Sequence, residues 1–279
     1  MKIGIVGLGL MGGSLGLDLR AQGHQVLGVS RQPKTCQFAL DHGIVDDASI
    51  DLSILATAEV VFICTPIAAI ASTVKDLVNY LYKDTVITDI GSVKMPVVRE
   101  IAPLWENFVG GHPMSGREYS GVEAAVSNLF VGNPYVLTPI ETTPPPALEK
   151  VEEIVRSLKS LLYITTPENH DKAVAWISHL PAMVSGSLIN ACIQESDPVV
   201  LRLAQQLASS GFRDTSRVGG GNPELRVMMA RYNQESIMRT LLGYRDRLDQ
   251  MIEVIEQEDW SSLEKIFETT HVARKKFVS

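Results

Sequence analysis

The sequence predicts an α/β chain in which a doubly wound sheet, with helices on both faces, is followed by an all-helical domain. Three observations predict it. The chain opens on an apolar run that breaks into a Gly-x-Gly-x-x-Gly turn. Short β-branched runs then recur between helix-period segments. After Thr165 the strand signal stops while helical patterning continues, which assigns residues 1–165 to the sheet and 166–279 to the helices.

The first strand holds Ile3, Ile5 and Val6, β-branched residues suited to a strand covered on both faces. Gly7 permits a tight turn, Gly9 lets a pyrophosphate approach the backbone, and Gly12 lets the next helix pack closely on the sheet. With Leu8, Leu10 and Met11 between them, these residues make a Rossmann-type dinucleotide loop in the required strand-turn-helix context. Amides at the start of the helix would point at the phosphates.

A second strand runs from His24 to Val29, and the residues at its end choose between nicotinamide cofactors. A carboxylate there would hold the ribose hydroxyls of NAD and repel the extra phosphate of NADP. This chain has Ser30, Arg31 and Thr35 instead, with no carboxylate until Asp41. Arg31 can fork onto a phosphate, and the two hydroxyls supply neutral donors. The expected cofactor is NADP.

Further strands read as Glu59–Cys64, ending in Thr65-Pro66, and Thr85–Asp89, ending in Gly91-Ser92-Val93-Lys94. Loops at the carboxyl ends of strands line the ligand crevice of an open sheet, so Thr65, Pro66 and Ser92 are expected beside the nicotinamide. Phe108–Gly111, Pro134–Thr138 and Leu161–Thr165 complete the sheet, with a helix over Leu148–Leu158. Helices are then predicted over His170–Gln194, Asp197–Ala208, Pro223–Glu258 and Ser261–Phe277. The third carries Ile237, Leu241, Tyr244, Leu248, Met251 and Ile255 at three- and four-residue spacing. Such a stripe either fills a domain core or packs against its copy in a homodimer.

Composition narrows the function classes. With 279 residues, 45% hydrophobic and 20% charged, the chain can bury a large core. A net charge of −7 without a basic stripe argues against nucleic acid. No apolar run is long enough to span a bilayer, and the opening run belongs to a strand and not to a signal peptide. Three scattered cysteines suggest reduced thiols in the cytoplasm, with no disulfide frame and no metal site.

Among the six histidines, His112 stands out because it follows a strand and Pro113 holds it extended. Histidine titrates near neutral pH and suits the removal of a hydroxyl proton as hydride leaves the same carbon. Ser92, at the neighbouring strand end, is placed to fix its second ring nitrogen. His179 precedes Pro181, which should kink its helix and turn the histidine toward the cleft. Arg213 and Arg217 lie in a loop before the long helix and suit substrate carboxylates, with Gly219–Gly221 a flexible turn beside them.

These clusters together resemble the prephenate and arogenate dehydrogenases of tyrosine biosynthesis over nearly the whole chain. The landmarks are Asp89-Ile-Gly-Ser92-Val-Lys94, Gly111-His112-Pro113 with Gly116 and Glu118, His170-Asp171, Ser178-His179-Leu180-Pro181 and Phe212–Arg217. The resemblance implies that His112 is the catalytic base or hydrogen-bond partner of the ring hydroxyl, that Ser92 orients it, that Arg217 binds a carboxylate and that His179 lines the pocket. It implies oxidative decarboxylation of a small-molecule substrate. No chorismate-mutase segment precedes the fingerprint and nothing long enough for a regulatory domain follows, so tyrosine feedback is expected to have no separate module.

Where many prephenate-type members have Gly-Thr-Glu, this chain has Gly116-Arg117-Glu118. That departure, with Ser30 and Arg31, resembles the arogenate branch. Glu118 or the Gly219–Gly221 turn would then meet the amine, and Gly221 joins Arg213, Arg217 and His179 as a substrate contact. Prephenate is the alternative substrate. A β-hydroxyacid dehydrogenase with Lys94 as its catalytic group is a further alternative.

Overall fold

A computed structural model describes residues 1–117 and 119–278. Six strands appear in a βα rhythm: β1 (Lys2–Val6), α1 (Leu10–Ala21), β2 (Gln25–Val29), α2 (Pro33–Asp41), β3 (Asp47–Ser49), β4 (Val60–Ile63), α3 (Ile67–Leu77), β5 (Val86–Asp89), α4 (Met95–Ile101) and β6 (Phe108–Pro113). Then come β7 (Pro134–Thr138), α5 (Pro145–Ser157) and β8 (Leu161–Ile164). The eight strands form one sheet in the order β3-β2-β1-β4-β5-β6-β7-β8. All neighbours pair in parallel except β6 and β7, which are antiparallel.

The core explains why the strands read as unbroken apolar runs. One buried cluster holds Ile3, Ile5, Leu15, Phe62 and Val151, and the other holds Val6, Val61, Ile63, Ile70 and Val97. Consecutive strand residues therefore face opposite helix layers, so that both faces of the sheet are lined mainly by apolar side chains. The short edge strand β3 has no such run, since only the sequence Asp-Ala-Ser forms it, and the sequence pattern does not show it.

Helices follow: α6 (Pro167–Val174), α7 (Leu180–Ile193), α8 (Pro198–Leu207), α9 (Ser210–Ser216), α10 (Pro223–Tyr232), α11 (Gln234–Glu256) and α12 (Trp260–Arg274). Three features differ from the sequence expectation. The helix expected from His170 starts at Pro167 and carries a π-helical stretch at Ala175–His179, just ahead of Pro181. Pro181 lacks an N–H, and widening the preceding turn is one way a helix absorbs that loss. The expected loop at residues 211–221 is largely the short helix α9 and a 3-10 turn over Arg217–Gly220. The long helix expected over Pro223–Glu258 is divided at Asn233, whose φ of −124° and ψ of 38° leave the helical region.

The apolar stripe of α11 is not the core of this chain. Ile237 is buried, but Tyr244, Leu248 and Ile255 are exposed, as are Leu203 and Leu207 on α8 and Phe267 on α12. Among the described residues no helix is long and apolar enough to cross a membrane.

Candidate active site

The glycine loop has the shape a dinucleotide needs. Gly7 adopts φ +102°, and a Cβ there would lie 2.6 Å from the carbonyl oxygen of Cys64. A Cβ on Gly12 would come 2.1 Å from the Gly7 oxygen, so close contact of α1 with the loop requires glycine. Gly9 differs, because a Cβ there would meet no protein atom within 4 Å. Its requirement comes from outside the protein: the open space over it is where a pyrophosphate would approach. Gly9 also caps α1 with no side-chain bond to the first-turn amides, which stay available to an anion. Leu8 is buried against Gly28 and can offer only backbone, while Leu10 and Met11 begin α1.

Ser30 follows β2 half-buried, Arg31 is exposed beside it, and Thr35 lies half-buried in the first turn of α2. Thr65 follows β4 with its Oγ1 buried, and Pro66 caps α3. Among the described residues, neither the Thr65 hydroxyl nor the buried one of Ser115, two residues beyond β6, has a partner. Unpaired buried hydroxyls at the carboxyl ends of parallel strands suit a polar ligand in the crevice.

His112 sits near the end of β6, and its Nδ1 lies 2.8 Å from Nε2 of His170 on α6. His170 Nδ1 lies 2.8 Å from Asp171 Oδ1. A carboxylate only accepts, so His170 Nδ1 donates to Asp171, and in the singly protonated ring this leaves Nε2 as the lone pair. His112 Nδ1 therefore donates, and this hydrogen-bond order assigns a lone pair to His112 Nε2. Burial, helped by the nearby His170, Lys94 and His179, holds the His112 pKa well below its ordinary 6.5. The ring is thus an uncharged base at neutral pH. The second ring nitrogen, expected to pair with Ser92, is occupied by His170. Ser92 is half-buried in the turn before α4.

Asp171 also ties the helical part to the sheet. Its Oδ1 accepts from the Lys94 amide at 2.7 Å and its Oδ2 from the Met95 amide at 2.8 Å, capping α4 from α6. The Lys94 side chain lies fully buried beneath, in an ion pair with Asp89, and donates to the Gly111 carbonyl at 2.6 Å. Burial lowers the ammonium pKa and Asp89 opposes the shift. With protons given to Asp89 and Gly111, Lys94 braces β5 against β6.

His179 is fully buried at the end of the π-helical stretch. Its Nδ1 lies 3.2 Å from Asn233 Nδ2, and its Nε2 is buried without a partner among the described residues. Burial, reinforced by His170 and Arg226 and opposed by Asp171, pulls its pKa to about 4. Arg217 opens the 3-10 turn with an exposed side chain, whereas Arg213 on α9 is exposed and pairs with its neighbour Asp214 at 3.2 Å. Gly221 is crowded by Arg226, since a Cβ would fall 2.5 Å from Nη2 of that arginine. Glu118 lies outside the described residues.

Sequence reasoning missed Asn233 and Arg226. Arg226 donates to the Val218 carbonyl at 2.6 Å, and its Nε is buried without a partner. Its one available signal was a basic residue one turn into the helix that follows the triple glycine.

A glycine-loop sheet domain with a buried, uncharged histidine at the strand ends is the arrangement of a nucleotide-dependent dehydrogenase. The chain belongs to the prephenate dehydrogenase family: residues 15–172 match the model "Prephenate dehydrogenase, nucleotide-binding domain" and residues 166–269 the model "Prephenate dehydrogenase, dimerization domain". It is 30% identical to the prephenate dehydrogenase of Bacillus subtilis (strain 168) over 95% of this chain and 73% of that protein. Among solved structures, it resembles Synechocystis arogenate dehydrogenase with 50% identity and a TM-score of 0.91 over 100% of both chains. It also resembles A. aeolicus prephenate dehydrogenase in complex with hydroxyphenyl propionate and NAD+, with 29% identity and a TM-score of 0.93 over 99% of this chain and 98% of that one.

Proposed function

We propose that this chain is an NADP-dependent arogenate dehydrogenase that converts L-arogenate to L-tyrosine with release of CO2. The observation that carries the chemistry is the chain from His112 through His170 to Asp171, which leaves His112 Nε2 as an unprotonated acceptor. A dinucleotide held by the Gly7, Gly9 and Gly12 loop would supply the oxidised nicotinamide as hydride acceptor for the hydroxyl-bearing ring carbon. His112 Nε2 takes the hydroxyl proton as that hydride departs. Its Nδ1 proton stays shared with His170, so positive charge growing on the His112 ring is met by the Asp171 carboxylate one imidazole away. The ketone so formed draws the electron pair released when the ring carboxylate leaves as CO2, the ring becomes a phenolate, and the proton held on His112 Nε2 returns to that oxygen to give the phenol. The protein's larger task is alignment, and Asp171 serves it by joining α6 to the Lys94 and Met95 amides.

The choice of arogenate rests on Arg117, which departs from the prephenate-type pattern, and on likeness at 50% identity to the Synechocystis arogenate dehydrogenase. The choice of NADP rests on Ser30, Arg31 and Thr35 at the end of β2. Prephenate as substrate is favoured instead by the Bacillus subtilis and A. aeolicus relatives, both named prephenate dehydrogenases. Initial rates with arogenate and prephenate, each with NADP and NAD at equal concentrations, decide. The proposal expects arogenate with NADP to be fastest, and robust prephenate turnover overturns it.

The same reading includes a homodimer. Leu203, Leu207, Leu248, Ile255 and Phe267 expose apolar surface on the segment that matches the dimerization model, and a second copy would cover it. Sedimentation of the purified protein should give twice the chain mass.

A further inference from the structure

We infer that Asn233 is a positioning residue that fixes which nitrogen of His179 carries the proton, making His179 a hydrogen-bond donor to an oxygen of the substrate; this rests on the functional reading above. Asn233 lies between α10 and α11, and its non-helical backbone divides what the apolar spacing reads as one helix. Asparagine at a helix start commonly turns its side-chain oxygen onto an amide of the first turn. Asn233 makes no such bond. Its side chain is turned into the site instead.

There, Nδ2 donates to the main-chain oxygen of Asp171 at 2.8 Å. A carbonyl oxygen can only accept, so this bond settles the orientation of the amide, with nitrogen inward. The same nitrogen lies 3.2 Å from His179 Nδ1 and has a second hydrogen to give. His179 Nδ1 is therefore the lone pair, and the proton of the neutral ring sits on Nε2. That N–H is buried and has no acceptor among the described residues. A buried donor left unpaired is costly, and a substrate oxygen, carboxylate or carbonyl, would remove the cost. Asp171 thus governs both histidines: its carboxylate orders His170 and through it His112, while its carbonyl orders Asn233 and through it His179.

The test reads imidazole nitrogen chemical shifts in 15N-histidine-labelled full-length protein, with His179 assigned by its absence in His179→Gln. In the unaltered protein at neutral pH, His179 should show a protonated Nε2 and a lone pair on Nδ1. Asn233→Asp keeps the side-chain shape but offers oxygens, so the proton should move to Nδ1 or the ring should become doubly protonated. Kinetically, this variant should raise the KM for the cyclohexadienol substrate by about tenfold or more and add an ionisation near neutral pH to the kcat/KM profile. Cofactor affinity should not change, which also reports that the variant folds. A proton on Nδ1 of His179 in the unaltered protein overturns the inference without need of any variant. An unchanged tautomer and KM in Asn233→Asp overturn it too. A protein that oxidises neither arogenate nor prephenate defeats the functional reading, and the nitrogen shifts still decide the role of Asn233.

Discussion

His112 and His170 meet nitrogen to nitrogen at 2.8 Å, one from the sheet and the other from the first helix beyond it. Because His170 is ordered by Asp171 on its far side, that contact sets the free nitrogen of His112 as an acceptor. The hydrogen-bonding order of His112 is thus imposed by a residue that lies 58 positions further along the chain. Five expectations follow from this arrangement and its surroundings.

Acid pH should affect rate and stability differently from ordinary histidines. Burial holds the His112 pKa below 6.5, so the acid limb of kcat/KM should fall clearly below pH 6.5. His179 is lowered to about 4, so its protonated form is favoured by the unfolded chain. The stability this contributes is present above pH 6.5 and is lost as pH falls toward 4, by on the order of 3 kcal/mol at pH 4. Urea midpoints measured from pH 7.5 to 4 check the slope.

Two alanine substitutions in one loop should separate folding from binding. Gly12→Ala puts a Cβ 2.1 Å from the Gly7 oxygen and should destabilise the protein, visibly lowering its melting temperature. Gly9→Ala meets no protein atom within 4 Å and should leave stability nearly unchanged. It should nonetheless weaken cofactor binding by tenfold or more, on the order of 1.4 kcal/mol, measured by fluorescence titration.

Lys94 should matter to stability before it matters to chemistry. Lys94→Met leaves Asp89 buried without its partner and should cost about 3–5 kcal/mol in denaturant unfolding. Adding Asp89→Asn should recover much of that loss, since the orphaned charge is removed with it. A catalytic lysine would instead give a well-folded, inactive Lys94→Met protein.

Arg31→Ala should raise the KM for NADP by about tenfold and leave that for NAD nearly unchanged, because a charge-assisted contact with the extra phosphate is lost. Steady-state kinetics with both cofactors measures the ratio. An equal effect on both would assign Arg31 to a part the cofactors share.

The parts legible in the sequence are those whose requirements are local. The glycine loop can be read because three steric demands fall within six residues of one strand end, and the structure places a carbonyl against two of the three glycines. His112 can be read because a strand and Pro113 bracket it. Its partner cannot: Ser92 is nearer in the sheet order, and no local pattern says that the packing of α6 brings His170 to the ring instead. The break at Asn233 is equally hidden, because Ile237 and the apolar residues after it keep helical spacing up to the break. Arg213, expected at a substrate carboxylate, is exposed and paired with Asp214, a contact between neighbours in α9 that no spacing pattern announces.

The central claim, that His112 is the base and His170 its ordering partner, is tested most directly by single-turnover rates of arogenate oxidation in His112→Asn and His170→Phe alongside NADP affinity. The account predicts that His112→Asn loses roughly a thousandfold in rate, that His170→Phe loses a large part of it, and that both bind NADP as the unaltered protein does. A His112→Asn protein that binds NADP normally and oxidises arogenate at near the original rate would contradict it.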